Sequence, residues 1–325
     1  MKSRSSEFRR LWGYSVGFYG VWIAHIGRQT GLLDRLSKGT MSVKDLVSSS
    51  GLYGRAVQAW ASAAESYGFL TKSGDGKLKL GPRVAELLLD HSHPDYLGGQ
   101  ISYLALQSLE FGGLGDLFRH GLTHPVANLE AIEEATHWDH FALLNAIKRD
   151  KNLDLLLRKG CRFLDVGCGT GTLIAKMLRE YPRTNFVGVD PSTKAIRQAQ
   201  KLQMAAAVRF DVVEAEAMPF SNEFDIAYLG ESLYAARNKQ KTTDNCFRAL
   251  KENGIIAVIE GLLPSSGIRA DENKLIMGMQ LDFALQGHRF LTSKEIRSIL
   301  KKSGFTKVRL RGLGGAVYLI TALKR

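Results

Sequence analysis

The sequence predicts an α/β fold: a Rossmann-like sheet wound on both faces by helices, preceded by a mainly helical domain that contains a winged helix. Three observations carry that prediction. Residues 161–190, CRFLDVGCGTGTLIAKMLREYPRTNFVGVD, run strand, glycine turn, amphipathic helix, strand and terminal acid, the opening half of a nucleotide-binding sheet. Apolar runs at 208–213, 224–230 and 254–260 then alternate with helical patterns, as a parallel sheet requires. Nearer the start, residues 42–80 read helix, turn, helix and hairpin.

Composition sets the outer limits. A chain of 325 residues can hold two domains, each with its own core. A hydrophobic fraction of 45% and a charged fraction of 23% describe a soluble globular protein. The net charge of +12 is compatible with an acidic substrate, nucleic acid, a membrane surface or a basic proteome. Three cysteines, Cys161, Cys168 and Cys246, make no disulfide framework, which points to a reducing compartment, the cytoplasm. The basic, aromatic start is interrupted by Tyr14, Ser15, Tyr19 and His25 and lacks a small-residue cleavage site, so neither a leader nor a membrane span is expected. An amphipathic helix lying on a membrane surface is the alternative for this segment.

In chain order, Phe8, Leu11, Trp12, Ser15, Phe18, Tyr19, Trp22, Ile23 and Ile26 recur at helical spacing and give a first helix with a wide apolar face. Ser42 caps a short helix, 50–54 is a turn, and 55–67 is a longer helix closed by Gly68. Segments 69–72 and 77–80 pair as a hairpin about the turn 73–76. The second helix of this winged helix offers Arg55 and Gln58 but is otherwise small, apolar or acidic. That is too little to read base edges, so nucleic acid is not an expected partner. Histidines cluster at 91, 93, 120, 124, 137 and 140 with no companion Cys pair and no H-E-x-x-H, so no metal site is expected. Residues 101–119 and 128–149 read as helices joining the two halves.

The glycine turn selects the ligand. Gly167, Gly169 and Gly171 are spaced G-x-G-x-G, whereas a dinucleotide site needs G-x-G-x-x-G to seat pyrophosphate on the helix N-terminus. Asp165 stands just ahead of the turn. A carboxylate there repels pyrophosphate but suits a ligand with an ammonium and a sulfonium. Asp190, at the end of the second strand, can accept from both hydroxyls of a ribose. S-adenosylmethionine (SAM) meets all three conditions and NAD does not. No G-x-x-x-x-G-K-[ST] is present for ATP.

With the motif L-D-V-G-C-G-T-G at 164–171, the chain resembles the class I SAM-dependent methyltransferases. More narrowly, it resembles the small-molecule O-methyltransferase family with an N-terminal winged-helix dimerisation domain, over nearly its whole length. The resemblance implies a seven-stranded sheet with a closing antiparallel strand, and a homodimer that uses the first helix. It divides the chain into a dimerisation domain at 1–98, linking helices that line the substrate pocket at 99–147, and a SAM-binding domain at 148–325. It implies cofactor contacts at Asp165, Gly167, Cys168, Gly169, Thr170, Gly171, Asp190, Pro191 and Gly230. Glu214 and Ala215, ahead of Pro219 and Phe220, fall on adenine, with Asp211 as the rival acid. Tyr103, Trp138, Phe141 and Asn145 become candidates to touch ligand. Met279, Phe283 and His288 resemble the family's substrate-lining helix and loop, which favours an apolar or aromatic acceptor.

The remaining sheet reads as helix 191–204, strand 208–213, strand 224–230, helix 242–250, strand 254–260, helix 293–302 and closing strands 308–310 and 316–321. Methyl transfer from a sulfonium is an in-line displacement, helped by placing the nucleophile and by deprotonating an alcohol or phenol. The family's base is a histidine just after the fourth strand, in an L-H-D-W-like segment. Residues 231–237 here read ESLYAAR: Tyr234 replaces that histidine, and Ala235 replaces the following acid. Glu260 matches the family's acid at the end of the fifth strand. A tyrosine titrates near ~10 and is a poor base but a good orienting donor. The catalytic candidates are Tyr234, Glu260 and Glu231. Either glutamate is the base, or the acceptor (an amine, a thiolate, an acidic phenol or a stabilised carbanion) needs none.

The expected function is methyl transfer from SAM to a small, largely hydrophobic or aromatic metabolite, with oxygen favoured and nitrogen, sulfur and carbon open. One rival is an RNA or protein methyltransferase; no N-P-P-Y segment or suitably placed cysteine supports it. The other is a catalytically silent SAM-binding winged-helix regulator, which the missing histidine allows.

Overall fold

The computed structural model describes residues 5–93, 95–124, 129–202, 207–266, 271–314 and 316–325. The chain forms two compact units, Met1–Phe111 with Asn128–Trp138, and Gly112–Ala127 with Asp139–Arg325.

The first unit begins with α1 (Ser6–Gln29), capped by the Ser5 side chain accepting from Phe8 N. Helices α2 (Leu32–Ser37), α3 (Val43–Ser50) and α4 (Gly54–Ser66) follow. The Ser42 side chain caps α3 by accepting from Asp45 N. Strands β1 (Leu70–Lys72) and β2 (Leu78–Leu80) pair antiparallel with Leu70 opposite Leu80, and Met41 bridges to Leu78. The expected winged helix is thus present. Its core gathers Leu33, Leu46, Val57, Trp60, Ala64, Leu70 and Leu78. Trp60 ties α4 to α1 by donating to Ile23 O at 2.9 Å. Helices α5 (Val84–Leu88) and α6 (Gly98–Ser108) are tied to α1 by the Arg28 guanidinium, which donates to Leu88 O at 2.8 Å and Gly98 O at 2.6 Å. The same group pairs with Glu134 at 2.8 Å. Much of α1 stays uncovered within this unit: Trp12 is 58% exposed and Tyr19 63%.

The expected helix over 101–119 is instead interrupted. α6 ends at Ser108, Leu109–Gly113 forms a 3-10 turn, and α7 (Leu114–His120) restarts the helix. Gly112 and Gly113 are poor helix formers and favour the break. α8 (Leu129–Arg149) and α9 (Lys151–Lys159) lead into the second unit's sheet. α9 is absent from the sequence reading, although Asp150 caps it by accepting from Asn152 N and Leu153 N.

The sheet comprises β3 (Arg162–Val166), β4 (Asn185–Asp190), β5 (Val208–Val212), β6 (Phe224–Gly230), β7 (Leu250–Leu263), β8 (Leu291–Thr292), β9 (Thr306–Gly314) and β10 (Val317–Leu323). Its order is β5-β4-β3-β6-β7-β10-β9, with β8 beside the end of β7. β3 to β7 run parallel, and β10 alone is antiparallel to its neighbours β7 and β9. The seven expected strands are all present, and β8 is an addition. Helices α10 (Thr172–Glu180), α11 (Thr193–Gln200), α12 (Lys239–Ala249), α13 (Asp271–Leu285) and α14 (Ser293–Lys302) connect them. The helix expected to start at Pro191 starts at Thr193, because Ser192 caps it by accepting from Ala195 N; Met204 lies outside the described residues.

Both faces of the sheet are covered, as a parallel sheet demands. On one face Leu164, Leu229 and Val258 pack against Cys246, Ala249 and Leu300. On the other, Phe163, Tyr228 and Ile259 pack against Leu143, Ile147, Leu173 and Ile196. The chain switches direction across the sheet between β3 and β6, so the crevice at their carboxyl ends is where such sheets bind ligands. Among the described residues no helix is long and apolar enough to cross a membrane.

Candidate active site

The turn after β3 is built by backbone geometry. Gly167 and Gly171 have φ of +83° and +79°, a region that penalises any Cβ. A Cβ on Gly171 would lie 2.7 Å from the Phe210 ring, and one on Gly167 would lie 2.7 Å from Ser232 Cβ. The amides of Gly167 and Cys168 both donate to Val189 O, at 2.8 and 3.0 Å, fastening the turn to β4. Asp190 closes the other side: Oδ2 accepts from Gly169 N at 3.0 Å and Oδ1 from Ser192 N at 2.8 Å. Thr170 Oγ1 lies 3.1 Å from Thr172 Oγ1, and Pro191 is exposed beside Asp190.

Asp165 is buried in β3, opposite Gly188 and Tyr228. Burial, and then repulsion from Asp190, raise its carboxyl to about 8. Burial also raises Asp190, and burial followed by repulsion from Asp165 and Asp190 pushes the Cys168 thiol far up. Two acids repelling each other beside a glycine turn fit a ligand that carries positive charge and a ribose, which are the two features SAM brings. Further along the edge, Asp211 sits within β5 opposite Val189 and pairs with Arg209 at 2.8 Å. Glu214 is exposed, beyond the strand and just before the 3-10 turn Ala215–Ala217. Ala215 O accepts from Asn245 Nδ2 at 2.9 Å.

A second group of acids stands at the ends of β6 and β7. Gly230 ends β6, and Glu231 turns the chain with φ +48°, unusual for a residue with a side chain. Its amide donates to Ile259 O at 2.8 Å, and its Oε1 accepts from Gly261 N at 3.0 Å. Glu260 is 1% exposed; its Oε1 accepts from Leu233 N at 2.7 Å and Tyr234 N at 3.3 Å. Glu260 Oε2 and the Tyr228 hydroxyl are buried without a hydrogen-bond partner among the described residues. Asp139, one helical turn before Leu143 on α8, is buried too. Burial and then Glu231 hold Asp139 well above the usual carboxylate range. Burial raises Glu231 to about 7. Glu260 is pushed up by burial, Glu231 and Asp139.

Beside these acids lies an aromatic group. Tyr234 stacks on Phe283 with centroids 4.4 Å apart, and Phe283 lies 4.0 Å from Phe290. The His288 ring meets Tyr234 edge-on at 6.0 Å, and burial followed by the Lys239 charge lowers its pKa. Ile276, Met277 and Met279 pack into the same cluster. Phe141 and Asn145 are half-buried on α8 within this unit. Tyr103 is buried on α6 of the first unit, and the Trp138 side chain lies outside the described residues.

Sequence reasoning missed Asp139, Tyr228 and Lys239. Asp139 carried a signal: an acid one helical turn before Leu143, on the apolar stripe of α8 that includes Ile147. Among the described residues no three His, Cys, Asp or Glu side chains converge to hold a metal ion.

Residues 157–304 match a family described as a methyltransferase domain. The ubiquinone/menaquinone biosynthesis C-methyltransferase UbiE of Syntrophotalea carbinolica is 27% identical over 183 residues, 50% of this chain and 76% of the relative. The crystal structure of human N-acetylserotonin methyltransferase in complex with SAM matches over 100% of this chain and 99% of that one, with TM-score 0.78 and 18% identity. The pyocyanin biosynthetic protein PhzM matches over 98% of this chain and 99% of its own, with TM-score 0.73 and 18% identity. At such identities the two structures speak to the fold alone, which this chain shares with them over its whole length.

Proposed function

We infer that this chain, a SAM-dependent methyltransferase of the class I fold, methylates a small, largely apolar or aromatic acceptor bound beside Tyr234 and Phe283. The observation that carries this reading is the juxtaposition of Glu231, Glu260 and the stacked Tyr234–Phe283 pair at the same sheet edge as the glycine turn. In this reading Asp190 takes the ribose, and Asp165 with Gly167–Gly171 takes the methionine end. Glu214 and Ala215 take adenine, and Pro191 and Gly230 complete the seat. Glu214 is preferred to Asp211 because Asp211 is already paired with Arg209.

When bound, SAM supplies a methyl group already activated by positive sulfur. The protein's part is placement and proton handling. Tyr234 orients the nucleophile and its ring covers it with Phe283. Met279, His288 and Phe141 complete the apolar wall. Glu231, raised to about 7, is suited to exchange a proton near neutral pH, and Glu260 is its neighbour. The exposed aromatic face of α1, with Leu11, Trp12, Phe18 and Tyr19 all more than half exposed, is suited to a second copy of the chain, making a homodimer. Three buried free thiols favour a cytoplasmic location.

Incubation with methyl-labelled SAM and a panel of aromatic alcohols, thiols and amines tests the reading. Label transferred to any of them supports it. SAM binding with no transfer to any acceptor, together with sequence-specific DNA binding, would favour a silent regulator instead.

A further inference from the structure

The acids at the ends of β6 and β7 form a group that no cation among the described residues neutralises by a direct pair, and burial with mutual repulsion holds them toward the protonated state until a positive charge arrives. Asp139 and Glu260 are buried and Glu231 is half-buried. Among the described residues no lysine or arginine pairs with any of the three. The nearby Lys239 on α12 feels the Glu260 charge, but it makes no direct pair with it and its Nζ donates to Ala236 O at 3.0 Å. The Tyr228 hydroxyl, 2% exposed and without a hydrogen-bond partner, reaches the same place. A Cβ on Gly230 would overlap it, so the hydroxyl lies level with the residue just before Glu231. Glu260 Oε2 is a second buried atom awaiting a partner.

Three kinds of ligand head can be weighed against that arrangement. An anion finds no cation paired into the group and opposes the ionisation of every acid in it. A phenol must become a phenolate to react, placing a negative charge where burial already disfavours ionising the three carboxyls. An ammonium supplies up to three donors and the missing charge together. The aromatic wall of Tyr234, Phe283 and Phe290 can hold the apolar remainder of the same molecule.

We propose that the acceptor is an aromatic or arylalkyl amine whose ammonium lies against Glu231 and Glu260, with the Tyr228 hydroxyl and the Asp139 charge nearby, and that the methyl goes to nitrogen. The proposal rests on the reading as a SAM-dependent methyltransferase. One N–H proton passes to a carboxylate of the group and frees the nitrogen lone pair. That pair forms the N–C bond as the donor's C–S bond breaks, with the bonding electrons staying on sulfur. The methylated nitrogen keeps its positive charge, sulfur becomes a neutral thioether, and the carboxylate becomes a carboxylic acid, so charge and atoms balance. The base that the family draws from histidine is supplied here by the acids, and Tyr234 has no proton to remove.

The test compares 2-phenylethylamine with its neutral counterpart 2-phenylethanol. Both are titrated calorimetrically into the protein saturated with S-adenosylhomocysteine at pH 7.5, in the wild type and in Glu231→Gln and Asp139→Asn. SAM and S-adenosylhomocysteine are titrated separately into each protein. The wild type is expected to bind the amine at least 10-fold tighter than the alcohol. Each variant should lose most of that preference while binding the alcohol and SAM within about threefold of the wild type. Equal binding of amine and alcohol by the wild type, or a preference that survives in both variants, overturns the proposal. So does a selective loss of SAM affinity over S-adenosylhomocysteine in the variants, since the acids would then serve the donor's sulfonium. If S-adenosylhomocysteine itself fails to bind the wild type, the methyltransferase reading has failed first. The two variants are near-isosteric, and thermal melting identifies either one that fails to fold, leaving the other to decide.

Discussion

Glu231 and Glu260 clamp each other's turns. Glu231 Oε1 accepts from Gly261 N at 3.0 Å, the residue after Glu260, while Glu260 Oε1 accepts from Leu233 N at 2.7 Å, two residues after Glu231. Two acids that repel each other are therefore held side by side by backbone donors. A side chain that keeps the acceptor but sheds the charge should be tolerated. Glu260→Gln is expected to leave stability unchanged or raised in urea unfolding. Glu260→Ala orphans the Leu233 and Tyr234 amides and opens a cavity, at a cost of about 2–4 kcal/mol. If the alanine variant proves as stable as the glutamine one, the clamp carries no structural weight.

The same acids make stability depend on pH. Asp139, Glu231 and Glu260 face one another, with Asp165 on β3, the Tyr228 hydroxyl, and Lys239 on α12 as the other ionisable groups in play. A carboxyl whose folded-state pKa is raised stabilises the fold fully below its unfolded value of roughly 4. That contribution is lost as pH rises through about 7 for Glu231 and about 8 for Asp165. The melting temperature of the ligand-free protein should fall between about pH 5 and pH 8.5. Glu231→Gln should flatten the lower part of that fall. A profile that rises over this interval, or one that Glu231→Gln leaves unaltered, contradicts the assignment.

Tyr234 separates orientation from packing. Its ring stacks on Phe283 at 4.4 Å, a contact that Tyr234→Phe keeps and Tyr234→Ala removes. The phenylalanine variant should turn over more slowly while binding SAM normally. The alanine variant should also lose stability, by about 2–4 kcal/mol for a partly buried aromatic. Unchanged kinetics in Tyr234→Phe would remove the hydroxyl from the site.

The glycine turn admits no side chain at Gly171, whose φ is +79° and whose Cβ would lie 2.7 Å from the Phe210 ring. Gly171→Ala should cost about 1–3 kcal/mol in stability. SAM affinity should fall by roughly 10-fold or more, since in the proposed seat this turn lies against the ligand. Unchanged stability and unchanged SAM binding would show that the turn relaxes freely.

The uncovered face of α1 makes a prediction about assembly. Trp12→Glu, at a position 58% exposed, places a charge on the face suited to a second copy. Sedimentation should report a dimer for the wild type and mostly monomer for the variant, with the melting temperature of the catalytic unit unchanged. A wild type that sediments as a monomer at micromolar concentration would remove the homodimer from the reading.

Local pattern made much of this legible. The strand, glycine turn and helix at 161–180, the Ser42 cap and the 73–76 turn are written in adjacent residues, and the structure places them as expected. Boundaries shifted where a neighbour decided them: Ser192 starts α11 two residues late, and Gly112–Gly113 break a helix whose apolar pattern runs on. The acid group was only half legible. Glu231 and Glu260 could be named because they stand at strand ends, whereas Asp139 reaches them from α8, about ninety residues before Glu231 in sequence. Tyr228 reads as one more apolar strand residue. Only the packed sheet shows that its hydroxyl is buried without a partner.

What occupies the crevice beside Asp165 and Asp190 decides the function of the chain. Calorimetric titration of SAM, S-adenosylhomocysteine and NADH into the wild type and Asp190→Ala tests it most directly. Saturable heat is expected with both adenosyl ligands, little or none with NADH, and at least a 10-fold loss of SAM affinity in the variant. Tight NADH binding without any response to SAM or S-adenosylhomocysteine would contradict that expectation.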